Sequence, residues 1–187
     1  MKEIVLYEIK KRFPNTEVLC LCKTGSSLFC TNPQDIDIIA ICDNIKFTHY
    51  FFKIPELNID VFCYNKISAF KVASGRPYGL SFALAKGDNL LYGKLPFEDY
   101  SWKKYQKMIL KSEYDHFRTV PLHRAKKLGV CDKNLIWPFA TYFACINNTL
   151  DFTSEQQEIL QKCHDKMLSG NYAEKLKNNI EKLLKGV

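Results

Sequence analysis

Asp35 and Asp37 stand two residues apart in the run Asp35-Ile36-Asp37-Ile38-Ile39-Ala40-Ile41. Side chains alternate along a strand, so both carboxylates point to one face. Two like charges that close, in apolar surroundings, repel, and at least one stays protonated unless a cation is present. A divalent ion removes that penalty, because Mg²⁺ takes carboxylate oxygens together with substrate phosphates. Asp60 repeats the theme in Asn58-Ile59-Asp60-Val61-Phe62, and a neighbouring strand could bring it to the same metals. Each acid alone has an ordinary reading: Asp35 as a cap or turn residue, Asp37 at an edge facing water, Asp60 on a solvated face. Three acids, each in an isoleucine- or valine-rich strand, favour the cation. Ahead of them, Gly25-Ser26 follows the apolar run Glu17–Cys22. Glycine lets backbone approach a phosphate closely, and a serine at a helix start offers hydroxyl and amide donors. The ordinary reading of that pair is a turn with a helix cap.

Acids, metal and a phosphate loop suit phosphoryl transfer, which needs positioning and charge neutralisation more than covalent chemistry. Candidate neutralising cations are Lys71 and Arg76, which follow the third acid, and Lys103, Lys104 and Lys107 further on. Lys103 and Lys107 share one helix face. Each is equally a solvated surface charge. A second basic group comprises Arg118, His123, Arg124, Lys126 and Lys127. It could track a nucleic-acid backbone, with Tyr114 and Phe117 either offering stacking surfaces or forming the apolar face of a helix. His49, His116, His123 and His164 have no metal-ligand spacing and read as structural or surface residues.

The elements that must position these groups differ between the two halves. Residues 2–12 form an amphipathic helix pattern, with Ile4, Val5, Ile9 and Phe13 on one face, stopped by Pro14 and Asn15. Strands are expected over Glu17–Cys22, Asp35–Cys42, Lys46–Phe52, Leu57–Tyr64 and Asn89–Tyr92. Residues 67–86 look helical with a break near Gly75-Arg76-Pro77. From about residue 98 only helices follow: material over Phe97–Leu128 broken at Pro121, then Leu135–Asn147, Ser154–Leu168 and Tyr172–Leu184. Thr153-Ser154-Glu155 supplies capping residues to one of them. The fold expectation is α/β first and an all-helical region second, divided as residues 1–96 and 97–187.

Bulk properties narrow the setting. With 47% hydrophobic residues the 187-residue chain can build a real core. No apolar run reaches the roughly 18–20 residues that span a bilayer, and Met1–Phe13 lacks the apolar core of a signal peptide. A cytoplasmic protein with no membrane partner is expected. The eight cysteines agree, since most sit in apolar company and no Cys-x-x-Cys pair occurs; they read as buried structural thiols. Cys20 and Cys22 should share a strand face. The formal net charge of +7 suits an anionic partner.

The arrangement Gly-Ser, eight residues, Asp35-Ile36-Asp37, then an acid between apolar residues at Asp60, resembles the DNA polymerase beta-type nucleotidyltransferase superfamily. The resemblance spans roughly residues 17–95, and Ala85–Gly93 is similar to the helix end and short strand that close this domain in small members. It implies a mixed sheet with flanking helices, two Mg²⁺ ions (Mn²⁺ as a substitute), and transfer of NMP from an NTP, such as ATP, to a hydroxyl with release of pyrophosphate. Under it, Gly25 and Ser26 hold the triphosphate and Asp35 and Asp37 bind both metals. Asp60 binds the catalytic metal and helps deprotonate the acceptor. Many bacterial relatives carry a Tyr-Ala-Arg-Gly-like stretch after Gly-Ser. Here it is Ser27-Leu28-Phe29-Cys30, without arginine, so lysines of the helical half could hold the triphosphate instead. The expected acceptor is RNA (tRNA-like) or protein. A cationic small molecule such as an aminoglycoside suits an acidic cleft, against which the net charge argues. A catalytically silent nucleotide-binding or toxin–antitoxin module is the remaining class, against which the full acid triad argues.

Overall fold

The structure is a computed structural model, and it describes residues 1–75, 79–85, 87–98 and 100–186. Arg76 and the Arg76-Pro77 part of the expected helix break lie outside the described residues, as does Lys86 of the closing segment. Chain contacts divide the protein into two compact units. One comprises Met1–Leu28, Asn32–Ala73 and Ser81–Tyr100; the other comprises Phe29–Thr31, Ser74–Leu80 and Ser101–Val187.

The first unit is a mixed sheet with helices on both faces. Its strands are β1 (Glu17–Thr24), β2 (Ile36–Asp43), β3 (His49–Ile54), β4 (Ile59–Asn65) and β5 (Leu90–Gly93), in the order β3-β4-β2-β1-β5. β2 and β4 run parallel, and the pairs β1–β2, β1–β5 and β3–β4 are antiparallel. A parallel pair is covered on both faces, which is why Ile38–Cys42 is buried without alternation. On one face Val5 and Ile9 of α1 (Lys2–Arg12) pack with Val18, Leu21, Ile38, Ala40, Cys42, Val61 and Cys63. On the other, Ile39 and Ile41 pack with Ala69 and Ala73 of α2 (Lys66–Gly75) and with Phe82 of α3 (Gly79–Ala83). A register shift between Val18 and Cys20 lets Val18 and Leu21 serve the first face while Cys20 and Cys22 serve the second. The two thiols share that face as expected, with their Sγ atoms 3.9 Å apart.

The second unit is helical: α4 (Trp102–Phe117), α5 (Val120–Leu128), α6 (Ile136–Asn147), α7 (Ser154–His164) and α8 (Asn171–Lys185). α6 buries Ile136–Thr141 without a polar face, which makes it the centre of the bundle. Thr153 caps α7 and Gln156 closes the reciprocal capping box. Phe29 belongs with this unit, its ring 5.3 Å from Trp137 and 5.8 Å from Phe152. The fold class is thus a mixed sheet with flanking helices followed by an all-helical region.

Most expected boundaries move by one or two residues, β2 among them, which starts at Ile36 rather than Asp35, and two move further. The third strand starts at His49 and runs to Ile54, because residues 44–48 are taken by a turn in which Asn44 adopts a left-handed conformation, φ 55°. α7 stops at His164, with Lys166 left-handed at φ 58°. Among the described residues no helix is long and apolar enough to cross a membrane.

Candidate functional site

The site is built where β1 ends and the parallel strands β2 and β4 begin. Register sets Asp37 directly opposite Asp60 across that parallel pair, so their side chains leave the sheet on the same face. It is the face that carries Ile39, Ile41 and Phe62 further along. Asp35 lies one residue before β2 and has the parity of Asp37. All three acids are half-buried, and the Asp60 side chain is 14% exposed.

Two features tie the acids to their surroundings. Gly25 directly follows β1, whose last residue, Thr24, is the register partner of Asp37. It is left-handed, φ 72°, and a Cβ there would stand 2.7 Å from Asp37 Cγ and closer still to Oδ2. The glycine therefore lets the loop backbone lie against the carboxylate. Residues Gly25–Leu28 form a single 3-10 turn, and Ser27, rather than Ser26, makes its side-chain bond by donating to the Thr24 carbonyl at 2.8 Å. The second feature is Asn58, in the turn between β3 and β4. It is left-handed, φ 51°; its side-chain amide donates to the Gln34 carbonyl, and its own carbonyl accepts from the Ile36 amide at 3.1 Å. The segment carrying Asp35 is thereby pinned to the start of β4.

A cation already stands at the acids. Lys53 of β3 is the register partner of Asp60, and its Nζ lies 2.9 Å from each oxygen of that carboxylate. The hydrogen bond to Asp60 raises the lysine above its ordinary value, and the charges of Asp60, Asp35 and Asp37 add to it. All three acids thus act on one ammonium. Lys53 and Asn58 are the site residues that sequence reasoning missed. The signal for Lys53 was available: a hairpin closing at Pro55–Leu57 places a lysine two residues before the turn opposite an acid three residues after it.

Does this arrangement fit a metal? Among the described residues no three of His, Cys, Asp and Glu are gathered as a ready-made metal site. Asp37 and Asp60 are side by side, however, and Mg²⁺ characteristically binds through one or two carboxylates, with substrate phosphates and water completing its shell. The residues fit an ion that arrives with a nucleotide, and they do not form a closed protein cage.

The remaining candidates lie in the second unit, apart from Lys71, which is exposed on α2. Lys103, Lys104 and Lys107 are exposed on α4. Of the basic group, Arg124 pairs with Asp132 at 3.1 Å and Lys126 pairs with Glu174, so part of that charge is already neutralised. Tyr114 and Phe117 are buried, and Tyr114 donates to Glu181; they form the apolar face of α4 and offer no stacking surface. All eight cysteines are free, and Cys145 alone of them is half-buried rather than buried. Burial pushes Cys30 and Cys131 up to about 11 and Cys145 up to about 12, which keeps them neutral thiols.

No protein-family model matches the chain, and no curated protein matches it. Among solved structures it is similar to a nucleotidyltransferase-like protein from Exiguobacterium sibiricum, at 11% identity and a TM-score of 0.32, covering 98% of this chain and 73% of that one. A likeness at that level carries no argument about the site.

Proposed function

We propose that the chain is a nucleotidyltransferase of the DNA polymerase beta type, moving NMP from an NTP to a hydroxyl acceptor with pyrophosphate as the leaving group. The observation that carries this reading is the parallel β2–β4 register that sets Asp37 against Asp60 beneath a close-packed glycine loop. Bound Mg²⁺ would neutralise phosphate charge and ease ionisation of the attacking hydroxyl. Asp37 and Asp60 would hold the metal-bound nucleotide, with Asp35 supporting from the segment that Asn58 pins. Asp60 would also take the acceptor's proton as the new P–O bond forms. The Gly25-Ser26 turn would present backbone amides and the Ser26 hydroxyl to the departing phosphates. The domain division at about residue 96, the second metal and the cytoplasmic setting belong to the same proposal, and RNA or protein is the preferred acceptor on the strength of the net charge of +7.

A second reading, a silent interaction module, is favoured by the Lys53–Asp60 pair, which satisfies an acid without any metal. Incubation with each α-³²P-labelled NTP, Mg²⁺ and pooled tRNA, protein or small-molecule acceptors separates the two. The enzyme reading expects label on one acceptor class, lost in Asp37→Asn while the protein stays folded. No label with any NTP would leave the silent module, and full turnover by Asp37→Asn would remove Asp37 from the transfer machinery.

A further inference from the structure

The Lys53 ammonium lies 2.9 Å from both oxygens of Asp60, the residue paired in register with Asp37. An ammonium and a divalent cation on the same carboxylate repel each other and compete for its charge, so each weakens the hold of the other. Lys53 is also poorly anchored elsewhere. It is 59% exposed, and its other close partner is the Phe51 ring, 5.8 Å from Nζ. Phe51 in turn packs on Phe62 with centroids 5.1 Å apart, so the ring is fixed while the lysine stem lies in solvent. A long side chain held only at its tip, by the charge of the acids, can leave without disturbing β3, whose Phe52 and Ile54 face the opposite core.

We propose that Lys53 is the resident counter-cation of the acid site and competes directly with divalent metal for Asp60, so that metal entry and release of the lysine are one event. The inference rests on the reading of Asp37 and Asp60 as metal ligands and adds a control on it. In the metal-free protein Lys53 offsets the repulsion among three carboxylates. When metal binds, the ammonium must move into solvent or toward the incoming phosphates. Metal affinity is thereby weakened on purpose, which favours an ion that arrives already bound to nucleotide over free ion.

The test is Mn²⁺ titration of the full chain, followed by the loss of free-Mn²⁺ signal in electron paramagnetic resonance. Lys53→Met should bind Mn²⁺ more tightly than wild type by roughly fivefold, the factor that an ion pair of this exposure is worth. Lys53→Gln should do the same, which guards against one variant folding poorly. Lys53→Arg should stay near wild type. Lys46→Met, which removes the same charge outside the site, should bind as wild type does. Lys53→Met,Asp60→Asn should lose the gain. Equal or weaker binding by Lys53→Met, or an equal gain in Lys46→Met, would overturn the proposal while leaving the metal reading intact. If neither wild type nor Lys53→Met binds Mn²⁺, either alone or as the complex with a non-hydrolysable NTP analogue, the metal reading of Asp37 and Asp60 fails, and the competition with it.

Discussion

At the scale of single residues, the contact between Gly25 and Asp37 is the most demanding in the site. The sequence suggested that glycine is needed there so that a phosphate can approach. The structure supplies a nearer reason: any side chain would strike the Asp37 carboxylate before it met a ligand. Alanine also strains a left-handed backbone, at a cost of about 1 kcal/mol. Gly25→Ala should therefore resemble Asp37→Asn. We expect destabilisation of about 1–3 kcal/mol in urea unfolding and weaker Mn²⁺ binding. Retention of wild-type Mn²⁺ affinity by a folded Gly25→Ala would show that the carboxylate can move aside and still bind.

At the scale of elements, the acid pair exists because β4 is inserted between β2 and β3, parallel to β2. The chain leaves β2, runs down the edge as β3, turns at Pro55–Leu57 and returns as β4. Asn58 sits at that return, left-handed at its Cα and bonded by its amide to Gln34. The two roles separate by substitution. Asn58→Gly keeps the backbone freedom and loses the amide bond; Asn58→Ala loses both. Stability should fall in the order wild type, Asn58→Gly, Asn58→Ala, the last step amounting to about 1 kcal/mol. Identical urea midpoints for the two variants would mean that the left-handed turn is not what Asn58 provides.

At the scale of the molecule, the thiols set an alkaline limit. Cys30 and Cys131 are held up to about 11 and Cys145 up to about 12, in each case mainly by burial. In the unfolded chain the same thiols ionise near about 8.5. Their folded values are raised, so the native state keeps protons that the unfolded state loses. The corresponding stability is complete below about pH 8.5 and declines as pH rises toward about 11–12. Urea midpoints should fall between pH 9 and 11, and Cys145→Ala should fall less steeply while starting lower. A midpoint independent of pH across that window would contradict the burial of these thiols.

Much of this was legible from local pattern. The isoleucine-rich run, Pro33 ahead of β2, Pro55 ahead of β4 and the fading of strand signals beyond residue 98 determined the element order and the change from sheet to helix. Period-two alternation is a property of one strand by itself, so the common face of Cys20 and Cys22 needed no knowledge of neighbours. The tertiary structure alone decided which strands lie side by side. Asp37 meets Asp60, and Asp60 meets Lys53, only because the order is β3-β4-β2-β1-β5. The same holds for Arg124 and Lys126, a basic cluster in sequence whose charge is partly cancelled by Asp132 and Glu174, and for Phe29, which packs with the helical unit. Periodicity reports which way a side chain faces; what it faces is settled by pairings between distant segments, chosen by burial of the whole sheet and bundle at once.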